Sequence, residues 1–202
     1  HPLRREWVVY AAHRNNRPWD FDLKSTVQQA PDYDPRCYLC PGNTRISGMQ
    51  NPLYPDVFIF ENDHPVVGLH SPDIAEEEQF AHEGLYRRQK AEGIAKVVCY
   101  DPRHNVTLTD LDIPSIAKVF RALRDEMIFF RDHPSIRSVL IFENKGEIVG
   151  VSNPHPHCQI YAADFVFNVV QKEMSALREH EAATGRNIFA DIISAEKKDE
   201  IR

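Results

Sequence analysis

The sequence predicts an α+β fold, a mostly antiparallel sheet with helices packed on one side. Three observations carry that expectation. Short apolar runs of strand length recur along the chain, one long stretch from Ile113 to Arg131 has helical periodicity, and two strand-like runs flank a Gly-bearing loop between 143 and 153.

The elements follow in order. Trp7–Tyr10 reads as a short strand, and residues 13–36, rich in Arg, Asn, Pro and Asp, as a long surface segment. Asp56–Glu61 is a second strand. The polar stretch 71–92, with Glu76, Glu77 and Glu78, reads as a solvated loop, and Ala95–Tyr100 as a third strand ending at Asp101-Pro102. From Ile113 to Arg131 the apolar residues Ile113, Ile116, Val119, Phe120, Leu123, Met127 and Phe130 recur every three or four positions and predict one buried helix face. Asp112 is placed to cap that helix, Pro114 suits its first turn, and His133-Pro134 stops it. Ile136–Phe142 and His157–Ala163 are further strands, and a second helix runs from Asn168 towards Glu181. The tail from Ala182 to Arg202 is mixed and stops without a terminating signal, so the sequence is expected to be cut there.

Composition narrows the function classes. The 202 residues suit one large domain or two small ones, and 42% apolar content is enough for a core. The net charge of −6 argues against a general binder of nucleic acid or anionic membrane. No window approaches the roughly 18 unbroken apolar residues of a membrane span. The first residues, His1 to Glu6, hold no apolar leader and no initiator Met, so no secretory signal is expected and part of the natural N-terminus is expected to be absent. Four cysteines are too sparse for a disulfide scaffold, which makes a reducing, cytoplasmic setting the expectation.

The chemistry concentrates in Asn153-Pro154-His155-Pro156-His157-Cys158-Gln159. On a strand, positions two apart share a face, so His155, His157 and Gln159 point the same way. Two imidazoles and an amide on one face suit a site better than a core; the plainer alternative is a pair of surface histidines beside a turn. The loop before them, with Asn144, Gly146, Gly150 and Ser152, offers backbone N–H groups to a phosphate, or simply connects two strands. Cys37 and Cys40 form a CxxC pair followed by Pro41-Gly42. That turn argues against the helix of a redox motif and leaves either an unliganded structural pair or two thiolates for a tetrahedral ion, with histidines to complete it; spacing does not choose among the ten available. Arg14 and Arg17, beside Trp19, suit a phosphate clamp or a solvated loop. The Phe60-Glu61-Asn62-Asp63 string can hold a ribose hydroxyl or cap a turn.

Four strings occur in order here: Cys-x-x-Cys-Pro-Gly-Asn, Phe-Glu-Asn-Asp, Phe-Glu-Asn-Lys-Gly and Ser-Asn-Pro-His-Pro-His-x-Gln. The set resembles the galactose-1-phosphate uridylyltransferase family of the histidine triad superfamily, from Trp7 to about Glu181. The resemblance implies a histidine-triad-like half-barrel, with 1–202 as one N-terminal domain and the family's second, similar half missing. It implies transfer of UMP from UDP-glucose to galactose 1-phosphate through a uridylyl-histidine, with ping-pong kinetics. His157 matches the nucleophile, and Gln159 the amide that binds the transferred phosphate. Cys37, Cys40, His104 and His155 match ligands of a structural zinc. Ile46, Asn62, Asp63, Asn144, Gly150 and Ser152 match nucleotide-sugar contacts, and Arg14 and Arg17 phosphate-facing arginines near a homodimer interface. Glu173 matches a carboxylate at a second metal site, iron in some members, whose other ligands fall outside this chain. A cytoplasmic role in galactose metabolism is implied, with no nucleic acid or membrane partner.

Two departures stand out. Cys158 occupies a position that is usually glycine in the family; strand alternation turns it away from His157, so it is not expected to be catalytic. The family's second half supplies hexose-phosphate contacts. The alternatives to the transferase are therefore a related histidine-triad nucleotidyl transferase or phosphorylase acting on another nucleotide, and an inactive zinc-stabilised fragment that binds nucleotide sugars.

Overall fold

The computed structural model of the chain describes residues 1–7, 30–69, 71–75, 80–81, 84–146, 149 and 153–199. Its elements are β1 (Phe58–Glu61), β2 (Phe80–Ala81), β3 (Tyr86–Arg87), β4 (Gly93–Cys99), a 3₁₀ turn (Leu108–Asp110), α1 (Ile113–Arg131), β5 (Ser138–Phe142), β6 (His157–Ala163), α2 (Asn168–Thr184) and α3 (Ile188–Asp199). The described residues fall in two compact units, one within 26–166 and one formed by segments within 1–25 and 167–202.

The larger unit holds an open four-stranded sheet in the order β1-β4-β6-β5, antiparallel throughout, and a separate β2–β3 ladder. β6 is paired on both sides: Cys99 faces His157, Val97 faces Gln159, and Phe142 also faces Gln159. Strand alternation then gives the sheet two different faces. One carries Val98, Cys158, Ile160 and Ala162 and packs against Val119 and Phe130 of α1. The other carries Val97 and Cys99 and packs against Cys37, Leu39, Cys40 and Tyr54, with Phe58 and Phe60 alongside. His157 and Gln159 alternate with Cys158 and Ile160, so they lie on this second face, opposite the helix.

α1 has the predicted bounds. Asp112 accepts a hydrogen bond from the Ser115 backbone N–H at 2.8 Å and caps it, with Pro114 in the first turn. Its apolar residues do not form the single buried face expected. Val119 and Phe130 are buried and Ile116 and Leu123 pack beside them, whereas Ile113, Phe120 and Met127 are 82, 58 and 40% exposed. At about 100° per residue these three lie roughly 90°, 70° and 50° from the centre of the buried stripe. The order of exposure follows the order of angle.

Further expectations change. β5 starts at Ser138 rather than Ile136. β1 starts at Phe58 rather than Asp56, whose carboxylate instead pairs with Lys118 on α1 at 2.6 Å. Within the stretch read as a loop, the short β2–β3 ladder forms; Glu76, Glu77 and Glu78 lie outside the described residues, as do Val8–Tyr10 of the first predicted strand and most of 13–36. The tail contains a helix, α3, that pattern reading missed. Gly185, at φ +67°, ends α2, and the Asn187 Oδ1 accepts the Phe189 N–H at 2.9 Å to start α3. In this smaller unit Arg5 pairs with Glu179 at 2.5 Å, and His180 with Asp191 at 2.7 Å. No helix among the described residues is long and apolar enough to cross a membrane.

β4 begins two residues earlier than expected because Gly93 lets β6 come close. A Cβ at Gly93 would sit 2.1 Å from the Ala162 carbonyl oxygen. Since the obstacle is backbone, Gly93→Ala is expected to cost about 1–3 kcal/mol, toward the upper end of that range. Urea denaturation checks it; unchanged stability would contradict this close approach.

Candidate active site and metal centre

The segment 37–54 coils because it cannot continue as a helix. Pro41 removes a donor and Gly42 adopts φ +76°. Side-chain amides replace helical bonding: Asn43 Nδ2 donates to the carbonyls of Cys37 (2.8 Å) and Asp34 (2.9 Å), and Asn51 Nδ2 to those of Tyr38 (3.0 Å) and Cys40 (3.1 Å). The turn presents Cys37 and Cys40 to the sheet. The backbone N–H of His104 donates to the Asp32 carbonyl at 2.7 Å, and His155 stands just before β6.

Cys37, Cys40, His104 and His155 converge, all four buried, with their ligand atoms within 4.8 Å of one another. The Cys40 Sγ lies 3.6 Å from His104 Nδ1 and 3.5 Å from His155 Nδ1. Those distances match the edge of a tetrahedron around a zinc-like ion, about 3.6 Å for bond lengths near 2.3 Å to sulfur and 2.0–2.1 Å to nitrogen. Burial pushes the His155 imidazole down to about 4, the Asp101 carbonyl opposing only in part, and lowers His104 as well, so both are neutral near pH 7. Burial raises the Cys40 thiol to about 11, so binding an ion there displaces a proton.

Outer contacts set the orientation. The Nε2 of His155 is 3.0 Å from the Asp101 carbonyl and 3.2 Å from the Tyr54 hydroxyl oxygen, while that hydroxyl donates to the Leu39 carbonyl at 2.7 Å. Nε2 therefore carries the proton, and the Nδ1 lone pair faces Cys40. Leu39 N–H and Asn153 Nδ2 each donate to the Cys37 sulfur at 3.3 Å. These residues fit a tetrahedral divalent ion with all four positions filled by protein.

His155 also reaches His157. Its carbonyl oxygen is 2.7 Å from His157 Nδ1, which donates to it and leaves Nε2 without a partner among the described residues. His157 is half-buried on the open face with Gln159, whose Oε1 accepts from the Tyr161 hydroxyl at 3.2 Å. Cys158, 3% exposed, lies in the helix-side core, and burial raises its thiol to about 11, so it is not poised as a nucleophile.

The remaining predicted residues divide. Asp63 accepts from the Ser47 N–H at 3.2 Å, which brings it beside Ile46, itself 59% exposed. Asn62 caps a turn, its Oδ1 accepting from the His64 N–H at 2.9 Å. Asn144 is exposed, two residues past Phe142, the register partner of Gln159. Arg14, Arg17, Gly150 and Ser152 lie outside the described residues. Glu173, on α2, pairs with Arg4 at 3.9 Å and joins no cluster of three ligands among the described residues. Sequence reading missed Tyr54 and Arg45: Tyr54 sits in a Pro-rich loop without periodicity, and Arg45 in a turn where any polar residue would be unremarkable.

Fold and site together define an antiparallel α+β domain stapled by a buried Cys₂His₂ cluster. Residues 1–166 match the family described as galactose-1-phosphate uridyl transferase, N-terminal domain. A galactose-1-phosphate uridylyltransferase of Haemophilus influenzae is 37% identical over 199 residues, which cover 96% of this chain and 54% of that protein. The enzyme of the same name from Saccharomyces cerevisiae is 33% identical over 210 residues, covering 100% of this chain and 57% of that protein. A solved structure of a uridylyltransferase superposes with a TM-score of 0.63 at 31% identity, covering 82% of this chain and 51% of that one. The chain belongs to the galactose-1-phosphate uridyl transferase family, and it spans about half the length of the curated relatives it matches.

Tyr54→Phe removes one partner of His155 without opening a cavity. It is expected to lower metal affinity about tenfold, the lower end of the usual outer-contact effect. Competition with a chromophoric chelator checks it; unchanged affinity would remove Tyr54 from the metal centre.

Proposed function

We propose that the chain carries the nucleophilic centre of a UDP-glucose–hexose-1-phosphate uridylyltransferase. The observation that carries the reading is the 2.7 Å bond from His157 Nδ1 to the His155 carbonyl, on the face that also presents Gln159. It fixes the tautomer in which Nε2 holds the lone pair. Nε2 attacks the α-phosphorus of UDP-glucose, the bond to the bridging oxygen breaks, and glucose 1-phosphate leaves with the electron pair. A phosphate oxygen of galactose 1-phosphate then attacks the uridylyl-His157, giving UDP-galactose and freeing the imidazole. Such transfers depend on positioning and on stabilising charge over the phosphoryl oxygens.

Gln159 has its amide available to those oxygens on the same face, and Ser152, Gly150, Arg14 and Arg17 are assigned to them through the family resemblance. Ile46, Asn62, Asp63 and Asn144 are assigned to the nucleotide sugar. Zinc, held by Cys37, Cys40, His104 and His155, would supply a structural cross-link, since a closed site has no position for substrate. The reading includes a cytoplasmic homodimer, following the resemblance.

Intact-protein mass after incubation with UDP-glucose tests the reading. A uridylyl adduct is expected on the parent chain and on Cys158→Ala, and none on His157→Ala. An adduct with ADP-glucose but not UDP-glucose would transfer the reading to an adenine-nucleotide enzyme; an adduct that survives His157→Ala would remove His157 as nucleophile.

A further inference from the structure

Arg45 is a buried guanidinium that the described residues do not fully satisfy. The residue is 8% exposed, and its Nε and Nη1 make no hydrogen bond among the described residues. Its guanidinium carbon lies 4.3 Å above the centre of the Phe60 ring, which β1 sets beside Val97 on the sheet face opposite α1. Its Nη1 is 3.4 Å from Asp63 Oδ1, and the two side chains are 7 and 10% exposed. That separation gives a charge contact rather than a formed hydrogen bond. A buried pair of this kind is weak grounds for stability, because desolvation offsets the attraction; registry is its best-attested use.

The surroundings say what is registered. The turn that carries Arg45 is closed by its N–H donating to the Met49 carbonyl (2.8 Å), by Gly48 N–H donating to the Arg45 carbonyl (2.9 Å) and by a bridge between Thr44 and Gln50. Asp63 lies just past the end of β1, and its second oxygen, Oδ2, takes the Ser47 N–H at 3.2 Å. Residues 45 and 47 therefore grip the two carboxylate oxygens separately, and the exposed Ile46 sits between them.

We propose that Arg45 is a positioning residue for the ribose subsite. Stacked on Phe60, it holds the Asp63 carboxylate in one orientation and fixes the Ile46 turn to the end of β1. The ribose hydroxyls then meet an acceptor already placed, and a ribonucleotide is selected over its deoxy analogues. The inference rests on the assignment of Asp63 to the nucleotide.

The test is titration calorimetry on the full chain with UMP, 2′-deoxy-UMP and 3′-deoxy-UMP, with metal content measured in parallel. The parent is expected to favour UMP over at least one deoxy analogue by about tenfold, as a hydrogen bond to a charged group allows. Arg45→Met is expected to weaken UMP about tenfold and that deoxy analogue little, so that discrimination collapses while metal content stays unchanged. Retained discrimination in Arg45→Met overturns the proposal, whatever happens to its melting temperature. Should Arg45→Met fail to fold, Arg45→Lys decides: it keeps the charge but loses the planar fork, so a loss of at least about threefold in discrimination is expected and full retention overturns the proposal. Equal binding of all three ligands by both the parent and Asp63→Asn would instead overturn the assignment of Asp63 and, with it, this inference.

Discussion

His155 is bonded at both ends, and the arrangement of the open face depends on it. Its imidazole enters the Cys37–Cys40–His104 cluster, while its carbonyl oxygen takes the proton of His157. One residue thus joins the closed cluster to the strand that presents the His157 imidazole. The join is short and stiff: Pro154 and Pro156 flank it, and Asn153 Oδ1 accepts the His155 N–H at 2.9 Å. Asn153 also touches the Cys37 sulfur, so the same amide orders both the cluster and the entry to β6.

The sheet makes this possible by having two distinct faces. β6 sits between β4 and β5 with Cys158, Ile160 and Ala162 sealed against α1, which holds the strand without using the face that bears His157 and Gln159. Cys158 belongs to the sealed side. Burial among apolar side chains there raises the thiol and keeps it quiet, the Tyr100 hydroxyl opposing only in part.

Much of this was legible in the sequence where a period or a spacing exists. Period-two alternation placed Cys158 opposite His157, and the cap at Asp112 with the stop at His133-Pro134 bounded α1 correctly. The CxxC turn named two ligands, but spacing alone left the choice of histidines open, because His104 and His155 reach the cluster through tertiary folding and not through any local pattern. α3 was missed although Gly185 and Asn187 are ordinary stop and start signals; they lie two residues apart, so the chain leaves one helix and enters the next with almost no loop between. Tyr54 and Arg45 were invisible for a different reason. Their importance lies in what they touch across the fold, which neither composition nor period encodes.

The separation of the cluster's ligands along the chain has a kinetic meaning. Cys40 is 64 residues from His104 and 115 from His155, so the four donors meet only after long loops have closed. Closing such loops costs entropy that grows slowly with length, but contacts this distant in sequence slow the search for the native arrangement. The CxxC turn is local and needs no such closure to bring its two thiols together. The other two donors arrive with the edge of β4 and the start of β6. An ion held by all four donors therefore requires that the central strands have already found their register.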